Sequence, residues 1–298
     1  MEKMSDTLLV EELEKRLLDA GRARNDLVLL TEKLEKLNKK LSESERLKGN
    51  FLSNIRNEIN NPLASILGIA RELAGPVKDD ETRQLMARMI FSEAFDLDFQ
   101  LRNIFIAAEL EAGETALHVS RIDVTALIRS VISSFSHRAA EKKVSVEFKC
   151  CGDKPADEDL LFMTDAEKLQ RVLANLLANA IEFNKPGRKV TIESWKGGSA
   201  LHVSITDEGI GIPAEERPRL FERFRQIESG TTKRHRGHGL GLSITKALVD
   251  LLNGTITVEE APGGGCIFRI VIQETDATGN EVFSEDGNEF LFESGNTF

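Results

Sequence analysis

Between Leu27 and Leu41 the apolar residues advance by alternating steps of three and four, through Leu30, Leu34 and Leu37. That step keeps a narrow stripe on one side of a helix, and a seam of this kind is the mark of a coiled coil. The step continues through Ser44 and Lys48 to Phe51 and Ile55, so the seam carries two polar layers before it turns apolar again. Charges such as Glu32, Lys33, Glu35 and Lys36 fill the outer positions. The pattern predicts a parallel coiled coil over residues 1–48 that leads into a helical bundle. A solvated helix without a partner is the plainer alternative.

Pro62 falls inside the next helical pattern, where it removes a backbone donor and is expected to bend the helix. The pattern resumes through Leu63, Ile66, Leu67 and Ile69 and stops near Gly75 and Pro76. A second amphipathic run extends from Thr82 to Leu110 and is closed by Gly113. Two helices joined by a short loop make an antiparallel hairpin over residues 49–118, and two such hairpins from two chains make a four-helix bundle.

After Arg121 the texture changes. Strand-like runs occur at 144–148, 190–194, 201–206, 255–259 and 266–272, alternating with helical patterns at 124–140, 166–183 and 240–252. Mixed strands and helices with Gly-rich joints indicate an α/β sandwich over residues 121–274, making the chain α+β. Residues 275–298 are acidic and rich in Gly and Asn, with Phe283, Phe290, Phe292 and Phe298 scattered among them, and are expected to form a disordered tail.

The formal net charge of −10 argues against a nucleic-acid surface, which needs a basic stripe. No run of eighteen apolar residues occurs, so no membrane segment is expected, and Met1 is not followed by a signal-peptide core. Cys150, Cys151 and Cys266 fit neither a disulfide framework nor a zinc site, so a cytoplasmic setting is expected.

Three constellations in the second domain carry chemistry. Asn175 and Asn179 stand four apart in a helix that Asp165 is placed to cap, so both amides share one face. Two amide oxygens on an apolar helix suit Mg²⁺, a hard cation that takes oxygen ligands, although buried asparagines also serve simply to bond backbone. Asp207, Gly209, Gly211 and Pro213 follow a strand directly. A carboxylate there can accept from an adenine amino group, and glycines let backbone approach the base; an ordinary Gly turn is the alternative. Gly237, Gly239 and Gly241 open a helix whose N-terminal N–H groups suit phosphates. Between them, Phe221 to Phe224 and the polar stretch 228–236 resemble a lid.

In this order and spacing the three motifs resemble the Bergerat-type ATPases and, within them, the sensor histidine kinases of two-component systems and phosphorelays. The resemblance covers about residues 50–273. It implies ATP and Mg²⁺ as ligands. Asn179 would hold the metal, Asn175 would lie beside the phosphates, and Asp207 would bind adenine. Gly209, Gly211 and Phe183 would shape the base pocket, with Gly237, Gly239, Leu240 and Gly241 around the phosphates. Chaperone and gyrase relatives usually carry Glu at position 175 as a water-activating base. Asn175 cannot act so, which favours phosphoryl transfer over hydrolysis. Two positions depart from the kinase pattern: Glu182 stands where Lys or Arg is common, and His238 interrupts the last glycine motif.

Phe51 to Leu63 resembles the kinase dimerisation box, in which a histidine precedes the glutamate and attacks the γ-phosphate. Here that residue is Asn57, followed by Glu58. An amide nitrogen, its lone pair delocalised into the carbonyl, is no nucleophile at neutral pH, so autophosphorylation is expected to be absent. Asn57 is either an engineered replacement or the mark of a natural pseudokinase. Asn61, one turn on, would orient the water that dephosphorylates a partner. The resemblance implies a homodimer that passes phosphoryl groups to a response-regulator receiver domain in trans, and no receiver is recognisable here. The rival readings are a non-catalytic ATP-sensing scaffold and a slow ATPase.

Overall fold

The computed structural model describes residues 15–16, 21, 24, 29–31, 33–39, 42, 56, 59–76, 79–113, 115–150, 160–222 and 239–275. The chain divides into a unit ending at Asn54 and a larger one beginning at Ile55. In the first unit every described residue is helical, and Leu30, Leu34 and Leu37 are exposed in the single chain. Leu27 and Leu41, the ends of the seam, lie outside the described residues, as do most positions of the expected tail.

The second unit begins with a helix, α1, whose described residues 59–73 run helical through a buried Pro62. The next helix, α2, spans Asp80–Ala112. Asp79 caps it, accepting from the Thr82 N–H at 2.7 Å and the Thr82 hydroxyl at 2.9 Å. Gly113 ends it in the left-handed region, at φ 70°, and donates back to the Glu109 carbonyl.

Among the described residues seven strands, four α-helices and one 3-10 turn at Arg217–Arg219 follow. The small antiparallel pair joins β1 (Val119–Asp123) to β3 (Leu161–Asp165). The main sheet takes β2 (Ser145–Cys150), β4 (Lys189–Gly197), β5 (Ala200–Asp207), β7 (Cys266–Gln273) and β6 (Gly254–Glu260), in that spatial order. Only the β2–β4 pairing is parallel, so the sheet is mixed. Alternation decides its faces: Val190, Ile192, Leu201, Val203, Ile205, Phe268, Ile270 and Ile272 are buried on one side. The opposite side carries Glu193, Trp195, His202 and Arg269, with Trp195 and His202 stacked at 5.1 Å.

Helices α3 (Val124–Ser134), α4 (Ser136–Lys142), α5 (Ala166–Glu182) and α6 (Gly241–Leu251) complete the layer. The helix expected over 124–140 is interrupted at Phe135, whose ψ of 4° leaves the helical region. The interruption turns the Phe135 ring into the core, where it meets Phe95 and Phe99 of α2 edge-on. The core centres on α5, whose Leu169, Val172, Leu173, Leu176, Leu177 and Ile181 are almost wholly buried. Replacing one of these leucines by alanine costs about 2–5 kcal/mol in comparable cores.

Candidate nucleotide site

Helix α5 is set by Asp165, buried at its N-terminus. One carboxylate oxygen accepts from the Lys168 N–H at 3.0 Å, and the other from the His118 N–H at 2.8 Å. The cap expected from the sequence is thus also the tie between α5 and the chain entering β1.

Asp207 ends the central strand β5 and is 5% exposed. Its Oδ1 accepts from the Gly209 N–H at 2.9 Å and the Cys266 N–H at 3.2 Å. Among the described residues Oδ2 accepts nothing, so one oxygen is anchored and the other is available. Burial pushes the Asp207 carboxyl above the ordinary carboxylate range, against the two backbone bonds, which act the other way. Burial, and then the nearby Asp207 charge, push the Cys266 thiol up to about 12.

The loop after Asp207 admits no side chain at Gly209. A Cβ there would stand 2.4 Å from the Phe183 carbonyl oxygen and 2.8 Å from Asp207 Oδ1. The Ile210 N–H bonds that same Phe183 carbonyl at 3.3 Å, while the Phe183 side chain is exposed. Gly211 takes φ 73°, a conformation that favours glycine. Arg217 fixes the loop from below, donating to the Ile212 carbonyl at 3.0 Å and to Glu260 at 3.0 Å.

Helix α6 begins at Gly241, with no side chain capping its first turn. Among the described residues nothing lies within 4 Å of a Cβ built at Gly241. Leu240 is buried beneath, and its carbonyl accepts from the Ser243 hydroxyl at 2.9 Å and the Ile244 N–H at 2.8 Å. Gly239 has φ 67°. Gly237 and most of the expected lid lie outside the described residues.

The two α5 amides differ. Asn175 is buried, its Nδ2 donating to the Gly241 carbonyl at 3.3 Å and its Oδ1 accepting from Asn103 Nδ2 at 3.0 Å. Asn179, half-buried, has no side-chain hydrogen bond among the described residues. Glu182 faces α4, its carboxylate 3.0 Å from Lys142 Nζ and 4.0 Å from Arg138. Asn61 is exposed on α1; Asn57 and Glu58 lie outside the described residues. No group of three metal-ligating His, Cys, Asp or Glu residues occurs among the described residues. Sequence reasoning missed Asn103, the Cys266 N–H and Gly265; the only available signal was three successive glycines before a strand.

Residues 164–276 match the family described as histidine kinase-, DNA gyrase B-, and HSP90-like ATPase, so the chain contains an ATP-binding domain of that class. It is 29% identical over 231 residues to the circadian input-output histidine kinase CikA of Synechococcus elongatus, across 76% of this chain and 30% of that protein. It is 32% identical over 266 residues to hybrid signal transduction histidine kinase D of Dictyostelium discoideum, across 86% of this chain and 16% of that protein. The crystal structure of full-length ShkA in complex with AMPPNP is similar at a TM-score of 0.53 and 25% identity, over 78% of this chain and 46% of that one. The chain carries a histidine-kinase ATP-binding catalytic core. It spans less than a third of the length of either curated relative.

Proposed function

We propose that the chain is the dimerisation and ATP-binding core of a two-component sensor kinase, binding Mg-ATP between α5, the loop after β5 and the start of α6. The observation that carries this reading is Asp207, with one oxygen tied to backbone and the other left to accept from the adenine amino group. Gly209 and Gly211 line the approach of the base, with the Phe183 backbone and side chain at its edge. The uncapped first turn of α6 receives the phosphates, with Gly239, Leu240 and Gly241 at its entrance and Gly237 before it. Asn179 presents an uncommitted amide to Mg²⁺, which when bound neutralises charge on the phosphate oxygens. Glu182 is engaged by α4, so the carboxylate does not face the phosphates and nucleotide binding survives this departure from the kinase pattern.

In the parent reaction an imidazole nitrogen at position 57 forms a bond to the γ-phosphorus, the bond to the β–γ bridging oxygen breaks, and ADP leaves. The proton on the other ring nitrogen passes to Glu58. Asn57 cannot form that bond, so this chain binds nucleotide without phosphorylating itself. Asn61 remains to orient a water against an aspartyl phosphate of a response-regulator receiver. Leu63, Leu67, Leu85 and Met89, exposed on α1 and α2 of the single chain, supply apolar surface for a homodimer in a four-helix bundle. The apolar seam of the first unit pairs with its copy in the second chain as a coiled coil, and a reducing cytoplasm suits the buried, unpaired Cys266. A second reading, an ATP-sensing pseudokinase scaffold, is favoured by Asn57 alone.

Calorimetric titration with Mg²⁺ and a non-hydrolysable ATP analogue tests the site. Asp207→Ala is expected to weaken binding by about 1.5–3 kcal/mol, the range for hydrogen bonds to charged groups. Equal affinity in the variant and the unmodified chain removes the assignment.

A further inference from the structure

Arg171, Asn175, Asn179 and Phe183 follow one another along α5 and its C-cap at intervals of four. Side chains at that spacing form a continuous ridge on a helix. Phe183 stands at the end nearest the Asp207 loop, where its carbonyl receives the Ile210 N–H at 3.3 Å. Asn175 is two turns earlier, its Nδ2 on the Gly241 carbonyl at the start of α6. Arg171 is one turn beyond that, on the order of 18 Å along the axis from Phe183.

Lys168, Lys142, Arg138 and Arg102 surround the same outer face of α5, and each has a carboxylate. Lys168 meets Asp165 at 3.2 Å and Lys142 meets Glu182 at 3.0 Å. Arg138 meets Asp96 at 3.4 Å and Arg102 meets Asp98 at 2.7 Å. Arg171 differs. Half-buried, it has no hydrogen bond or ion pair among the described residues, and its Nε is wholly covered. Burial, and then the Arg102 charge, bear against the guanidinium, offset in part by Glu167 and Asp98. Arginine does not escape such a cost by losing its proton. A half-buried guanidinium that feels a second one and touches no carboxylate is suited to receive an anion.

We propose that Arg171 grips the terminal phosphate of the bound nucleotide, so that the pocket tells a triphosphate from a diphosphate. The inference rests on the nucleotide placement made above. With adenine at Asp207 and Phe183, Mg²⁺ at Asn179 and the phosphate chain beside Asn175, a nucleotide laid along the ridge brings its last phosphate to Arg171. A guanidinium is a planar fork, and the Nε–H with a terminal N–H can donate two parallel bonds to two oxygens of one phosphate. The unpartnered Nε–H is one arm of that fork. Arg102, balanced by Asp98, adds positive potential from α2. Helix α5 holds only two cations, Lys168 and Arg171, and Asp165 already occupies Lys168. The contact to the last phosphate therefore falls to Arg171.

Calorimetric titration of the full chain in Mg²⁺ compares a non-hydrolysable ATP analogue with ADP. Arg171→Gln is expected to weaken the analogue by about tenfold, the scale of one hydrogen bond to a charged group, and ADP by less than about twofold. Retained ADP binding also reports that the variant is folded. Arg171→Glu, which reverses the charge, should widen the gap between the two ligands. Equal weakening of both nucleotides overturns the proposal, because it makes Arg171 a structural residue. Unchanged binding of both overturns it too, because the guanidinium then meets no phosphate. Asp207→Ala run alongside separates the failures. If it loses both ligands while Arg171→Gln loses neither, the site stands and the phosphate contact falls; if it binds both normally, the site assignment falls and the contact with it.

Discussion

Gly265 lies directly against Asp207: a Cβ built at position 265 would stand 2.1 Å from the Asp207 carbonyl oxygen and 2.8 Å from the Gly209 nitrogen. The closeness follows from φ 95° at Gly265, the last of three successive glycines with positive φ, and it delivers the next N–H, that of Cys266, to Asp207 Oδ1. The Asp207 carboxylate, proposed above to bind adenine, is therefore positioned from a turn nearly sixty residues away in sequence.

Gly265→Ala should consequently destabilise the fold and spoil the site together. Strain at such a φ costs about 1–3 kcal/mol, before the clash with the Asp207 carbonyl is added. Thermal unfolding should show a lowered midpoint, and analogue affinity should fall. A variant with native stability would mean that the turn is not seated against β5.

Acidification should act on nucleotide affinity through Asp207. Its carboxyl titrates above the ordinary range because burial disfavours the charge, while acceptance from adenine needs the ionised form. Affinity should decline as pH falls through that raised value, before ordinary carboxylates titrate. Asp207→Asn should remove this dependence. The stability term has the opposite sign: the folded state holds this proton more tightly, so the contribution is present below the unfolded value and is lost as pH rises through the folded one.

Asn57→His should restore the nucleophile beside Glu58. Incubation with γ-labelled ATP is then expected to give protein-bound phosphate that is stable to base and lost in acid, against none on the unmodified chain. If the variant binds the analogue yet takes no label, the pseudokinase scaffold is the better reading. Label on the helix of the unmodified chain would show that the acceptor lies elsewhere.

Replacement of Leu34 and Leu37 by glutamate should loosen the dimer, because charge on a coiled-coil seam is desolvated on association. Light scattering at micromolar concentration should report a dimer for the unmodified chain and a lighter species for the variant. A monomer from the outset would remove the proposed coiled coil.

Much of the α/β layer was legible because its elements carry strong periods. The α5 leucines repeat at helical spacing behind a capping Asp165, and β4 and β7 alternate buried with more open positions. The pair β1 and β3 escaped notice because each is five residues long and its partner lies some forty residues away. The break at Phe135 was hidden because apolar residues continue through it, and only tertiary packing against Phe95 and Phe99 selects the turn. Asp207, Gly209 and Asn175 could be singled out from spacing and chemistry. The partners of Asp207 and Asn175 could not, because one polar residue such as Asn103 on a long amphipathic helix looks like any solvated amide.

The bond from Cys266 to Asp207 also sets an order of events during synthesis. Strand β5 leaves the ribosome well before β7, its neighbour in the sheet and the source of that N–H. A nascent chain ending short of residue 266 has the helix α5 amides, the glycine loop and the start of α6, yet its Asp207 lacks one of two backbone donors. Domains fold as units as they emerge. The proposed nucleotide pocket therefore has its full set of backbone donors to Asp207 only once residue 266 has been made and β7 has joined the sheet.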